Sequence, residues 1–305
     1  MLLYMIPPFP EFKNLELSDK KDVENFTKKS PPYSDFNFVS MWSWNTKNET
    51  KLSELNGNLV VRFSDYLSKE IFYSFIGSNK VEETIDILTK FSLKNKSGSK
   101  LRLIPEDVIR EHRTGDFILI SDNDNFDYVY DVKEFFTCEG KKYETQRNQI
   151  NRFEKKYQNI KVEIFKDFDH VKEEMLLLEQ SWKLNKVKQD KILEFRSESE
   201  ALRRIFDLKH DGLFTVCIFS DNKLVAFCVS EVLPESDYAI SHFAKADISF
   251  SGIYSFLLHK TCEALIKHKV KYLNYEQDLG LVYLKNSKMA FRPVHFLKKY
   301  LIIKQ

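Results

Sequence analysis

The 305-residue sequence is poor in glycine and proline, with eight of each. That excludes collagen-like, linker-like and mostly disordered chains. Cysteine is equally sparse. Cys138, Cys217, Cys228 and Cys262 form no CxxC pair and no zinc-spaced cluster with histidine. His112, His170, His210 and His295 form no ligand pattern either, so no metal site is expected. Cys217 and Cys228 lie in apolar, strand-like runs and read as small core residues of a reduced, cytoplasmic protein. No run comes near the ~18 consecutive apolar residues of a membrane-spanning helix. The apolar residues 1–6 stop at Pro7-Pro8, too short for a signal-peptide core and without a basic flank.

What is present is core-forming material. Hydrophobic residues make up 43% and aromatics 14%, including 26 Phe and 14 Tyr, enough to bury a large interior. At about 100–200 residues per domain the length implies two domains. The formal net charge of +2 gives no global field for nucleic acid. Its distribution is uneven: residues 106–139 hold ten acids against three bases, and residues 279–305 hold six Lys or Arg and no acid. The stretch 139–161 also leans basic. A basic face, and with it a polyanionic partner, stays open.

The chain has a rhythm that occurs twice. Residues 58–63 and 70–76 read as an antiparallel pair, Val81, Ile85, Leu88 and Phe91 follow helical spacing, residues 97–99 stop that helix, and 101–104 is a strand. In the second half, 213–219 and 223–231 form a hairpin about Asp221-Asn222, 238–244 is a strand, 253–268 a helix and 271–276 a strand. The order hairpin, helix, strand in each half points to a duplicated α+β domain. Residues 117–121 and 126–132, with the turn Asp122-Asn123-Asp124-Asn125, read as a strand pair joining the halves. The expected domains are 1–135 and 136–305.

The densest polar constellation closes the last of these strands. Strand alternation puts Tyr272, Asn274 and Glu276 on one face, and Asn and Glu rarely share a buried face without partners. Either Glu276 lines a cleft with Asn274, or it pairs with Lys288 or Arg292 as a structural bridge. Lys285, Lys288 and Arg292 alternate with Tyr283 and Phe291, the basic and aromatic mixture of RNA-contacting surfaces. A solvated basic helix accounts for it equally.

The series Asn274, Glu276, Asp278-Leu279-Gly280, Leu284-Lys285, Lys288, Phe291-Arg292-Pro293 and Lys299-Tyr300 resembles the C-terminal signature of the phosphatidylglycerol lysyltransferase C-terminal-like family. Ser34-Asp35-Phe36-Asn37-Phe38, Trp42-Ser43-Trp44, Phe75-Ile76-Gly77, Tyr128-Val129-Tyr130-Asp131, Arg147-Asn148 with Asn151-Arg152-Phe153, and His242-Phe243 with Lys245-Ala246 extend the resemblance over nearly the whole chain. It implies two tandem GNAT-like acyltransferase domains, each a mixed, mainly antiparallel sheet flanked by helices, with the active cleft in the C-terminal one. It also implies kinship with lysyl- and alanyl-phosphatidylglycerol synthases and the Fem aminoacyltransferases, which take aminoacyl-tRNA as donor. The implied reaction is transfer of an aminoacyl or acyl group to an amine or hydroxyl. tRNA would be the partner, and a small molecule, peptide or lipid head group the acceptor. The alternatives are a non-catalytic module binding tRNA, a nucleotide or a peptide, and an acyl-CoA-dependent N-acyltransferase.

Two departures shape the expectation. In GNAT folds a glycine-rich turn at a helix N-terminus cradles the CoA pyrophosphate. The matching stretch here, Ser249-Phe250-Ser251-Gly252-Ile253-Tyr254, has one glycine and a bulky Phe250, which disfavours CoA. Lipid lysyltransferases carry a large membrane domain that has no counterpart in this sequence, which disfavours a lipid acceptor. On the transfer reading Glu276, then Asp278, is the proton acceptor. Asn274, Tyr254 or a backbone N–H at 252–254 would steady the oxyanion. Arg147, Arg152, Lys245, Lys288 and Arg292 would hold donor phosphates, Arg through its planar fork. Gly252 and His242 would line the cleft. Arg147 could equally snorkel from the apolar stripe of its helix, and His242 could be a hydrogen-bonded core residue.

Overall fold

The computed structural model describes residues 6–66, 68–95, 97–98, 100–111, 117–189 and 196–304; residues 1–5, Ser99 and His112 lie outside them. Among the described residues two seven-stranded sheets form. The first contains β1 (Lys13–Asn14), β2 (Lys51–Leu55), β3 (Asn58–Ser64), β4 (Ile71–Ile76), β5 (Lys100–Pro105) and β6 (Phe117–Ser121). The second contains β8 (Ile160–Phe165), β9 (Leu213–Ser220), β10 (Lys223–Val232), β11 (Tyr238–Ala246), β12 (Tyr272–Asn274) and β13 (His295–Leu297). The two remaining strands are exchanged. β14 (Lys299–Lys304) inserts between β5 and β6, and β7 (Asp127–Asp131) lies between β12 and β13.

The helices are α1 (Lys20–Thr27), α2 (Phe38–Trp44), α3 (Val81–Lys94), α4 (Glu106–Ile109), α5 (Val132–Thr137), α6 (Glu144–Lys156), α7 (Lys172–Gln189), α8 (Arg196–Phe206), α9 (Ile253–Lys267) and α10 (Val282–Ala290). Among the described residues no helix is long and apolar enough to cross a membrane.

Local chemistry accounts for the hairpins. Asn56-Gly57 (φ 55 and 77) joins β2 to β3, and Asp221-Asn222 (φ 49 and 62) joins β9 to β10. Two successive positive φ values match the twist of the flanking strands. The central strands are apolar and buried over most of their length, as at Leu59-Val60-Val61 and Ala226-Phe227-Cys228-Val229. Helix α3 turns Val81, Ile85 and Leu88 inward at helical spacing. It carries the chain from β4 to its parallel neighbour β5, and α9 does the same from β11 to β12. All other registered strand pairs are antiparallel. The fold is therefore α+β with two GNAT-like sheets, as the resemblance implied.

Three expectations need correction. Residues 117–121 and 126–132 are not a hairpin: β6 pairs with β14, and β7 pairs with β12. The short turn between two strand-like runs made a local pair plausible, but each strand has a long-range partner instead. The basic C-terminal stretch is not simply a helix, since α10 is followed by β13 and β14. The compact units are also not divided by one cut near residue 135. One comprises the chain up to Asp127, Gln277–Leu281 and the chain from Phe296 on; the other comprises Tyr128–Glu276 and Val282–His295.

Within the first of these units, Lys299 at the start of β14 is fully buried. Its Nζ lies 2.7 Å from Asp127 Oδ1, bonds the Asp35 carboxylate, and donates to Gln277 Oε1 at 3.3 Å. Ser34 donates to Asp127 through its amide (2.8 Å) and its hydroxyl (2.6 Å). Burial opposes the ammonium charge, yet Asp127 and Asp35 outweigh it and raise the Lys299 pKa. Lys299→Met would strand two buried carboxylates and is expected to cost about 3–5 kcal/mol. Urea unfolding reads this; an unshifted midpoint would remove the cluster from the account of stability.

Candidate active site

The site forms where two parallel strands of the second sheet part. β11 and β12 pair at Tyr238–Tyr272, Ala239–Leu273 and Ile240–Asn274. β12 then stops, while β11 runs on to Ala246. Asn274 causes the stop. Its buried Oδ1 accepts the Glu276 N–H at 2.8 Å, an Asx turn, and Glu276 takes φ 56. The strand alternation that put Asn274 and Glu276 on one face therefore ends at Asn274, and a turn, not a pleat, delivers the Glu276 carboxylate.

β11 is irregular at the same level. Its register against β10 passes from Ser230–Ser241 to Val229–Phe243, so His242 is an extra residue in a bulge. Bulges re-aim side chains and gather next to active sites. The His242 ring is buried with Nε2 at 3.2 Å from Glu231 Oε2. Its Nδ1 is 3.6 Å from Glu276 Oε1, long for a hydrogen bond but within ion-pair reach. The second Glu231 oxygen lies 2.6 Å from His210 Nε2. Glu231 is buried, whereas the Glu276 side chain keeps 19% of its surface exposed. Burial alone would discharge His242, but Glu231 and Glu276 overcome it and raise its pKa to about 9. Burial likewise pushes the Glu231 carboxyl up, and the two histidines more than reverse this, to about 2.

The other expected residues are distributed differently. Asp278 belongs to the first compact unit, where its buried Oδ1 accepts the Gly280 N–H at 2.8 Å and shapes a turn. Lys288 is buried and donates to the carbonyls of Tyr275 (2.5 Å) and Glu276 (3.0 Å), bracing the turn that carries Glu276. Arg147 donates to the carbonyls of Cys138 (2.5 Å) and Gly140 (3.3 Å) at the end of α5. Lys245 is buried, salt-bridged to Glu198 at 3.1 Å, with Nζ 3.5 Å from the centre of the Trp182 ring. Arg152 and Arg292 are exposed, and Arg292 Nε donates to the Lys142 carbonyl at 3.3 Å. The geometry thus joins Glu276, Asn274, His242 and Lys288, while Arg147 and Lys245 are held by partners of their own.

At the N-terminus of α9, Gly252 has φ 88, and a Cβ there would stand 2.8 Å from the Gln149 carbonyl oxygen of α6. The Ser251 N–H donates to the Tyr157 hydroxyl at 3.1 Å, and the Phe250 and Tyr157 rings lie 4.9 Å apart. Burial raises the phenol of Tyr254, on the first turn of α9, to about 12. Glu231 and His210 escaped the sequence reading. A glutamate closing an otherwise apolar strand is the one local signal of Glu231, and nothing local ties His210 to it.

The family model described as phosphatidylglycerol lysyltransferase, C-terminal, matches residues 27–303. A conserved protein of unknown function from Bacteroides thetaiotaomicron has a similar structure, with TM-score 0.83 and 26% identity over 99% of this chain and 100% of that one. The structure of L-PGS from Bacillus licheniformis shares the fold at TM-score 0.62 and 15% identity, covering 99% of this chain and 93% of that one. FemX shares it at TM-score 0.57 and 9% identity, over 96% and 95%. An uncharacterised protein of Mycoplasmoides gallisepticum is 28% identical over 179 residues, which span 57% of this chain and 55% of that relative.

The charge pattern fixes a pH dependence. His242 titrates higher folded (about 9) than its ordinary 6.5, so its contribution to stability is whole below 6.5 and is lost as pH rises through about 9. Glu231 sits at about 2 against an ordinary 4.5, so its contribution is present above 4.5 and is lost only as pH falls through about 2. Thermal unfolding is expected to show falling stability between pH 6.5 and about 9, and His242→Gln should flatten that fall. An equally steep fall in the variant would contradict the assignment.

Proposed function

Because the chain belongs to the phosphatidylglycerol lysyltransferase C-terminal family, we propose that it is a transferase that moves an aminoacyl group from aminoacyl-tRNA to an amine or hydroxyl. The acceptor is a small molecule, peptide or lipid head group, and the reaction belongs to the cytoplasm with its donor. The observation that carries this reading is the Glu276 carboxylate, partly exposed, presented by the Asn274 turn where β11 and β12 part, and backed by a buried histidine.

In the step proposed, the acceptor nitrogen or oxygen bonds to the carbonyl carbon of the aminoacyl ester. Glu276 takes the proton that the acceptor loses. The carbonyl carbon then releases the terminal ribose oxygen of the tRNA, to which that proton passes. Tyr254, whose phenol stays protonated up to about pH 12, is suited to donate a hydrogen bond to the oxyanion. For the phosphates of the donor, exposed Arg152 on α6, Lys285 on α10 and Arg292 replace the inward-held Arg147, Lys245 and Lys288. The Ser251 N–H, engaged by the Tyr157 hydroxyl under the Phe250 ring, favours this donor over an acyl-CoA, whose pyrophosphate needs such amides.

Filter binding to charged and uncharged tRNA, with acetyl-CoA as competitor, is the first test; preference for charged tRNA that acetyl-CoA leaves unaffected is expected. Glu276→Gln should then lower transfer about 10²–10⁴-fold with tRNA affinity retained. Absence of tRNA binding at moderate salt would overturn the donor. Binding with no turnover in the unmodified protein would make it a non-catalytic tRNA-binding module.

A further inference from the structure

We infer that Glu276 is the outer end of a directional, buried relay in which Gly212, His210 and Glu231 hold His242 as an imidazolium, making Glu231 and His210 positioning residues for the transfer step. This deepens the transferase reading and rests on it for the catalytic consequence; the relay itself stands on geometry.

The direction follows from donors and acceptors. The Gly212 N–H donates to His210 Nδ1 at 3.4 Å. A ring nitrogen that accepts carries no proton, so His210 is the neutral tautomer protonated at Nε2. That N–H donates to Glu231 Oε1 at 2.6 Å. The other Glu231 oxygen, at 3.2 Å, faces His242 Nε2, and a carboxylate oxygen accepts, so Nε2 must be protonated. His242 Nδ1 stands 3.6 Å from a second carboxylate, Glu276 Oε1, beyond a hydrogen bond but within ion-pair reach, and a proton at Nδ1 gives that carboxylate a positive partner. A ring protonated at both nitrogens is a cation. The charged groups that face it are Glu231 from β10 and Glu276 from the segment after β12. Lys288 binds the Glu276 backbone carbonyl from α10.

Each link has a structural support. Gly212 is the residue this turn admits: a Cβ would stand 2.5 Å from the Val232 carbonyl oxygen and 3.2 Å from His210 Cε1. The bulge in β11 turns His242 to Glu231. The outcome is a carboxylate whose inner oxygen is held by a fixed cation while its outer part reaches solvent. A proton taken up at the outer oxygen finds no base behind it, since His242 is already protonated. Glu276 therefore keeps that proton for the leaving oxygen and does not lose it into the protein.

The test reads the ring protons directly. Two-bond ¹⁵N–¹H spectra of ¹⁵N-histidine-labelled protein near pH 7.5, assigned with His210→Gln and His242→Gln, should show His242 as imidazolium and His210 as the Nε2-protonated tautomer. Glu231→Gln, which keeps the shape but can accept only one of the two histidine N–H bonds, should leave His242 neutral at that pH, and should lower transfer about 10- to 100-fold with tRNA affinity unchanged, the size of loss that misplacement of a reacting group produces. Glu231→Asp should recover part of that loss. A neutral His242 in the unmodified protein, or a His242 charge unaffected by Glu231→Gln, overturns the relay. If Glu231→Gln does not fold, Gly212→Ala, which presses on His210, should shift the His210 resonances and with them those of His242; unshifted His242 signals overturn the relay as well. Spectra as expected with no transfer activity would leave the relay standing and overturn the transferase reading instead.

Discussion

A lysine ammonium buried between two carboxylates is the constraint on which the first unit depends. Lys299 begins β14, Asp35 precedes α2, and Asp127 begins β7. None of these groups can sit in an apolar interior alone, because an unpaired buried charge is far costlier than a paired one. The ammonium therefore fixes the register at which β14 enters between β5 and β6. Gln277 and Ser34 accept from the ammonium as well, so three separate stretches of chain converge on the Lys299 Nζ. The hydrophobic matter of β14, with Ile302 fully buried, follows where that charge leads.

The second unit uses charge differently. Glu231, His242 and Glu276 alternate in sign from the interior to the partly exposed edge of the sheet. A β-bulge aims the histidine, an Asx turn aims the outer carboxylate, and Lys288 ties down the carbonyls of that turn. Each device departs from regular strand geometry. Such departures are expected where a sheet presents chemistry rather than packing. The parallel strands β11 and β12 supply the opening, because β12 ends at Asn274 while β11, still paired to β10, runs on to Ala246.

Much of the fold was legible locally. The runs at 59–63, 71–76, 213–219 and 223–231 are dense in β-branched and aromatic residues, and the spacing of Val81, Ile85 and Leu88 is helical, so their elements follow from side-chain chemistry. β2 was not read from the sequence: its mixed stretch Lys51–Leu55 hid the strand although Asn56-Gly57 is a strong hairpin signal. The exchange of β7 and β14 was not legible. Pairing depends on which partner covers a strand, and Phe117–Ser121 carries no mark of a partner almost two hundred residues away. Of the site, Asn274 and Glu276 stood out because polar residues at a strand end ask for a reason. Glu231 and His210 did not, because their meaning lies in a contact across chain neighbours that are remote in sequence.

Local chemistry accounts for the alternating strands, the helices between them, the duplicated order and, through its motifs, the family. These properties are local or additive: each residue's preference shows wherever its neighbours agree. Long-range folding is what makes Lys299 an interior ion, gives Arg147 and Lys245 partners of their own, and sets His242 between two carboxylates. Those outcomes depend on distances of about 3 Å between residues far apart in the chain, and on the cost of burying charge, which is undefined until the fold says what surrounds it.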